Sequence, residues 1–204
     1  IMLDFEYLMP EDRDAFSDFV RALKAQLASE KLVLLLALPP KTCRGQTGLL
    51  CEAHDFRVLG RNADLCVLKN ASVALGAPSA LADIGRMNEA VRYAVSEIPA
   101  KKLLCSLPAG GLQWMLPWHQ GQRARPLAGA QAAEQAVQVG APIRYDDAAQ
   151  APHYNFWRGG TEQEVWFEDA RSYRAKCALA AEYRLGGVAV PEAAQWYSQL
   201  WGIL

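Results

Sequence analysis

The feature that most narrows the fold is a run of apolar residues, 32–38 (Leu-Val-Leu-Leu-Leu-Ala-Leu), brought to a stop by Pro39 and Pro40. Unbroken apolarity, with no polar residue at every second position, marks a strand covered on both faces, the condition of parallel sheets. The run is far shorter than the roughly 20 residues needed to cross a bilayer, so no membrane span is expected. The same rhythm repeats along the chain. Residues 1–7, 63–68, 102–107 and 187–190 read as further strands. Helical stretches separate them over 10–28, 53–59, 84–98, 170–183 and 193–200. The first helix opens on Pro10 with Glu11 and Asp12 at its positive end, and carries Phe16, Phe19, Val20, Leu23 and Leu27 at helical spacing. Strands alternating with helices imply parallel pairing through right-handed crossovers.

One stretch breaks the rhythm. Residues 115–168 contain an alanine-rich helix over 128–139 and three short strands over 142–145, 153–157 and 164–167. Arg158-Gly159-Gly160 forms a turn between the last two. The stretch reads as a small α+β insertion, the alternative being a long structured loop. The expected division is therefore 1–114 for the main layer, 115–168 for the insertion and 169–204 for the final helix, strand and helix. The chain opens at Ile1 inside a strand, without a basic-then-apolar leader, and reads as cut from something longer. Open sheet edges make self-association an expected mode of partnering.

Composition removes several functions. The 204 residues carry a formal net charge of -1 with both signs interspersed, which offers no field to gather nucleic acid. Of five cysteines, Cys66 and Cys105 sit in apolar runs and read as buried small hydrophobes, while Cys43, Cys51 and Cys177 complete an odd count unsuited to a disulfide framework. His54, His119 and His153 form no metal-ligand spacing with them. A structural zinc site is not expected.

Asp4 and Glu6 lie two apart on the first strand and so point the same way, roughly 7 Å apart along the backbone. At the C-terminal end of a barrel strand such a pair sits where chemistry is done. Crowding two carboxyl groups favours keeping a proton on one of them, which glycosidic bond cleavage needs. By spacing alone the pair also reads as an ordinary solvated one.

The run Leu3-Asp4-Phe5-Glu6-Tyr7 followed by Pro10-Glu11-Asp12-Arg13 resembles the catalytic strand and next helix of glycoside hydrolase family 18. The branch it looks most like includes bacterial spore-cortex peptidoglycan hydrolases and spore-germination proteins. Ala37-Leu38-Pro39-Pro40-Lys41-Thr42, Ala53-His54-Asp55, Ala63-Asp64 and Gln150-Ala151-Pro152 extend the likeness, and Glu164-Val165-Trp166-Phe167-Glu168-Asp169-Ala170-Arg171-Ser172 is its most specific stretch. The resemblance implies a partial TIM (β/α)8 barrel, its C-terminal half, with an α+β insertion. It implies retaining, substrate-assisted cleavage next to N-acetylglucosamine in peptidoglycan or chitin-like glycans. Glu6 would be the acid and base, Asp4 the carboxylate that orients the acetamido group, and the resemblance implies no metal or organic cofactor. Tyr7, Asn70, Gln113, Trp114 and Glu192 are the expected substrate-binding positions. The setting implied is extracellular, at a bacterial cell wall or spore.

Departures from the family pattern point to a second reading, a catalytically impaired glycan-binding protein on the same scaffold. The tyrosine and acid expected after the sixth strand fall on Ala71 and Ser72, later aromatics on Gly110 and Leu112, and the tryptophan flooring the sugar site on Pro191. Lys69 either pairs with Asp4 or Glu6, which works against proton donation, or carries its ammonium to solvent. Trp114, Trp118 and Trp157 are candidates for a sugar groove or for the core of the insertion. Trp166 and Phe167 read as packing residues, Asp169 as a helix N-cap, Asp146 and Asp147 as a strand end, and His54 and His153 as loop or structural residues.

Overall fold

The computed structural model describes residues 1–69, 77–190 and 202–203. The expected positions Asn70, Ala71, Ser72, Pro191 and Glu192, and the helix expected over 193–200, lie outside the described residues. Two compact units are present. One takes in 1–69, Met87–Ser106 and Leu179–Ala189, the other 77–86 and Leu107–Ala178.

The first unit is a parallel sheet. Its strands are β1 (Met2–Leu3), β2 (Leu35–Leu38), β3 (Leu65–Leu68), β4 (Leu103–Ser106) and β10 (Gly187–Ala189), in the order β1-β2-β3-β4-β10. The register is continuous, with Leu36 beside Cys66, Val67 beside Leu104 and Cys105 beside Val188. Leu36, Leu38, Cys66, Leu68, Leu103 and Cys105 are buried, as their unbroken apolarity requires. A 3-10 turn, Pro10–Asp12, leads into α1 (Arg13–Ser29), whose Phe16, Val20 and Leu27 are buried. Phe19, expected on the same stripe, is largely exposed.

Helix α2 (Phe56–Asn62) begins three residues later than the expected 53. Asp55 sets that start: its Oδ1 accepts the Val58 N–H at 3.1 Å, a side-chain N-cap. Helix α3 (Ile84–Glu97) matches its expected span. Together the strands and helices form an α/β core of the (β/α) barrel kind, with β1 and β10 at the edges of the sheet among the described residues.

The second unit is antiparallel. Strands β5 (Gly111–Leu116), β6 (Arg125–Leu127), β7 (Arg144–Asp146), β8 (Ala151–Arg158) and β9 (Thr161–Phe167) form a sheet in the order β6-β5-β9-β8-β7. The three expected strands are there, joined by a turn in which Gly159 and Gly160 take φ of 59° and 77°. Two more, β5 and β6, were not expected, and β5 starts upstream of 115. Both were hidden by composition. β6 holds Pro126, tolerated because β6 is an edge strand, and β5 starts in a glycine pair. A Cβ on Gly111 would meet the Trp166 carbonyl at 2.8 Å, so the glycine there allows β5 and β9 to close rather than breaking the strand.

Helix α4 (Gly129–Gln138) covers one sheet face, where Ala132 and Ala136 pack with Tyr154, Phe156, Val165 and Phe167. On the other face Trp114 and Trp166 cluster with Ala80, Ala149 and Ala151. Trp166 and Phe167 are packing residues, as expected. Asp169 caps α5 (Ala170–Glu182), accepting the N–H groups of Arg171 and Ser172. Asp146 ends β7 and accepts from Ala148 and Ala149.

Candidate active site

The first strand is shorter than its alternation suggests. Pairing with β2 ends at Leu3, and the chain leaves the sheet at Asp4, reaching a left-handed φ of 58° at Tyr7. The two-residue spacing still separates the side chains. Phe5 turns onto α1, its ring edge-on to Phe16 at 5.6 Å and to Phe19 at 6.2 Å. Asp4 and Glu6 instead converge on Lys69.

Lys69 follows β3 directly, and its backbone N–H donates to the Leu38 carbonyl at 2.8 Å. Parallel pairing of β1, β2 and β3 therefore brings residues more than 60 apart in sequence to the C-terminal end of one sheet. The Lys69 ammonium donates to Asp4 Oδ1 and Oδ2 at 3.1 and 3.2 Å, and also to Glu6 Oε1. Of the two readings of Lys69 the pairing one holds: the ammonium is engaged and not free in solvent. Two carboxylates share one cation, in place of the expected crowding of like charges. Burial alone would lower the Lys69 pKa, but the bonds to Glu6 and Asp4 outweigh it and hold the ammonium above the ordinary lysine range. The Asp4 and Glu6 side chains are 48% and 49% exposed, so the cluster is open to a ligand.

Behind it lies a buried layer of polar residues. His54 packs edge-on against Phe16 at 5.5 Å, and neither ring nitrogen has a hydrogen-bond partner among the described residues. Burial pulls its pKa down to about 4, so the ring is neutral near pH 7. Lys41, fully buried, donates to the carbonyls of Cys51 and His54, both at 3.3 Å. Burial lowers its pKa. His54 is structural, as expected. Lys41 was not singled out, since a lysine after a strand end reads as an ordinary exposed one.

The remaining expected contacts are dispersed. Tyr7 is exposed, three residues past Asp4. Gln113 and Trp114 belong to the second unit. Gln113 is buried, donating to Gln163 at 3.1 Å and accepting from Gln135 at 3.4 Å. Trp114 is 1% exposed within the apolar cluster, whereas Trp157 is 71% exposed. No group of three or more potential metal ligands occurs among the described residues.

Comparison with known proteins gives these arrangements a context. The family model described as glycosyl hydrolases family 18 matches residues 1–195. The cortical fragment-lytic enzyme of Bacillus subtilis (strain 168) is 38% identical over 208 residues, which cover 100% of this chain and 48% of the relative. The crystal structure of the Bacillus megaterium spore cortex-lytic enzyme SleL superposes with a TM-score of 0.94 at 37% identity, covering 98% of this chain and 47% of the other. A chitinase from Chromobacterium violaceum superposes with a TM-score of 0.92 at 27% identity, covering 100% of this chain and 64% of the other. The chain spans about half the length of the curated relatives it matches.

Proposed function

The chain belongs to glycosyl hydrolase family 18, and from that premise we propose that it carries the catalytic carboxylates of a hydrolase of N-acetylglucosamine-containing glycans. The observation that carries this reading is the convergence of Asp4 and Glu6 on one half-exposed point at the C-terminal end of a parallel sheet. In the reaction, protonated Glu6 gives its proton to the glycosidic oxygen while the substrate's own acetamido oxygen attacks the anomeric carbon. Asp4 orients the acetamido group and stabilises the positive charge that develops on it. Ionised Glu6 then removes a proton from water, which opens the ring intermediate with net retention. Exposed Tyr7, with Asn70 and Glu192, remains in the proposal as a sugar contact, whereas Gln113 and Trp114, both buried, are left out of it.

The relatives named for the spore cortex support peptidoglycan as the glycan and a bacterial spore or cell-wall setting, and the chitinase similarity supports recognition of β-linked N-acetylglucosamine.

A second reading, an impaired hydrolase that still binds glycan, is favoured by one specific contact. The Lys69 ammonium occupies Glu6 Oε1, where it competes with a glycosidic oxygen for the carboxyl group. The two readings part in one experiment: release of reducing ends from peptidoglycan and chitooligosaccharides by the whole gene product and by its Glu6→Gln variant. Loss of activity in the variant, by about 10²-fold or more, supports the hydrolase. Equal rates end it, and saturable binding without turnover supports the second reading.

A further inference from the structure

We propose that Lys69 selects the substrate: it exchanges Glu6 for a carboxylate borne by the glycan, so the site favours strands with an acidic substituent. That role rests on the hydrolase reading for its glycan and adds a charge requirement to it. Lys69, Asp4 and Glu6 all belong to the first unit. Among the described residues, Lys69 is the one cation bonded to Asp4 or Glu6. An ammonium has three N–H groups, and three carboxylate oxygens already accept from this one. A ligand therefore reaches Lys69 by displacing a resident oxygen.

The displaced partner is Glu6. Lys69 is fixed at the strand end by its backbone N–H, bonded to the Leu38 carbonyl at 2.8 Å. Asp4 directly follows Leu3, the last paired residue of β1, and holds the ammonium through both oxygens. Glu6 holds it through Oε1 alone. It lies beyond the paired residues, next to the left-handed Tyr7, so its side chain swings away without breaking a sheet bond. A single half-exposed contact costs little to give up. Its release also frees the carboxyl group that must face the glycosidic oxygen.

Charge decides what takes its place. A sugar hydroxyl or acetamido oxygen is neutral, and would replace an ion pair by a weaker bond. A ligand carboxylate replaces it like for like. Once Glu6 carries its catalytic proton, Asp4 and Lys69 cancel, and a ligand anion restores the one excess negative charge of the resting cluster. Lys41, the cation behind them, is fully buried and bound to the carbonyls of Cys51 and His54, so it does not compete for that anion. Polymers of N-acetylglucosamine are either free of acid groups, as in chitin, or alternate with a lactyl-bearing sugar, as in peptidoglycan. In the second class the carboxylate is the lactyl group itself or the end of a peptide attached to it. Lys69 selects that class.

The test uses the whole gene product and its Lys69→Gln and Lys69→Arg variants, with melting curves to check folding. Titration calorimetry compares three thio-linked disaccharides of N-acetylglucosamine and N-acetylmuramic acid, which resist cleavage. The first has a free lactyl carboxylate, the second is its uncharged methyl ester, and the third carries a dipeptide on the lactyl group. The wild type is expected to bind one of the acids about two- to fivefold more tightly than the ester, with high salt shrinking the difference. Lys69→Arg should keep that preference and Lys69→Gln should lose it. Preference for the free lactyl acid, or for the dipeptide, upholds the role and identifies which carboxylate Lys69 takes. Equal affinity for acids and ester in the wild type, no binding of any of them, or a preference that survives in Lys69→Gln overturns it. Reducing-end release from peptidoglycan by the same proteins separates the two claims. A lysine-dependent preference without turnover upholds the role of Lys69 and removes the hydrolase reading, whereas turnover without any preference does the reverse.

Discussion

Two lysine–carboxylate clusters sit in the two units and differ in their access to water. Lys69 meets Asp4 and Glu6 with all three side chains between 31% and 49% exposed. Lys176 on α5 meets Glu168 at 2.6 Å with both side chains at 0%. Glu168 follows β9, its backbone N–H bonded to the Gly110 carbonyl, and its Oε1 is buried without a partner among the described residues. Burial pushes the Glu168 pKa up, against the pull of Lys176. The same pair of functional groups is thus scaffold in one place and candidate chemistry in the other. A buried charge cannot lose its partner without a large penalty, while a half-exposed one can exchange its partner for a substrate at little cost.

The largest difference should appear on removing each lysine. Lys176→Met leaves a buried carboxylate alone and is expected to destabilise the fold by about 3–5 kcal/mol in urea titration. The double variant Lys176→Met with Glu168→Leu should recover most of that loss. A Lys176→Met protein as stable as wild type would show that burial does not separate the two clusters.

The buried layer behind the exposed cluster gives the next effect. The folded-state pKa of His54, about 4, lies below the ordinary value of 6.5. The native state therefore refuses a proton that the unfolded chain accepts. Its contribution is fully present above pH 6.5 and is lost as pH falls from there to about 4, by roughly 3 kcal/mol at most. In His54→Phe, stability should fall less over that window. An unchanged slope in the pH dependence of urea midpoints would place the titration elsewhere.

These contrasts bear on what the sequence could reveal. β2 was legible because both its faces are buried, which leaves an unbroken apolar run. β5 and β6 were not, because tight approach at Gly111 and an edge position for Pro126 use residues that ordinarily mark turns. Local spacing puts Asp4 and Glu6 on one side of the first strand, and the resemblance to the family's catalytic strand is what singles them out. Their sharing of Lys69 depends on which strand ends the parallel order brings together, and nothing local in the chain carries that. Nothing local marks Lys41 and Lys176 as buried, because burial is decided by tertiary packing.

The smallest stability effect belongs to the exposed cluster. Lys69→Met should change stability by less than about 1 kcal/mol, yet raise glycan turnover by freeing Glu6. A fall in turnover would mean that Lys69 helps the reaction and does not compete with it.

The central claim, that Asp4 and Glu6 act together on a substrate whose acetamido group attacks its own anomeric carbon, is tested most directly by binding of a chitobiose thiazoline, a stable mimic of the ring intermediate. Titration calorimetry should find the wild type binding it at least about 10²-fold more tightly than chitobiose itself, and Asp4→Asn losing most of that preference. Equal affinity for the two ligands in the wild type, or an Asp4→Asn protein that keeps the preference, would contradict the account.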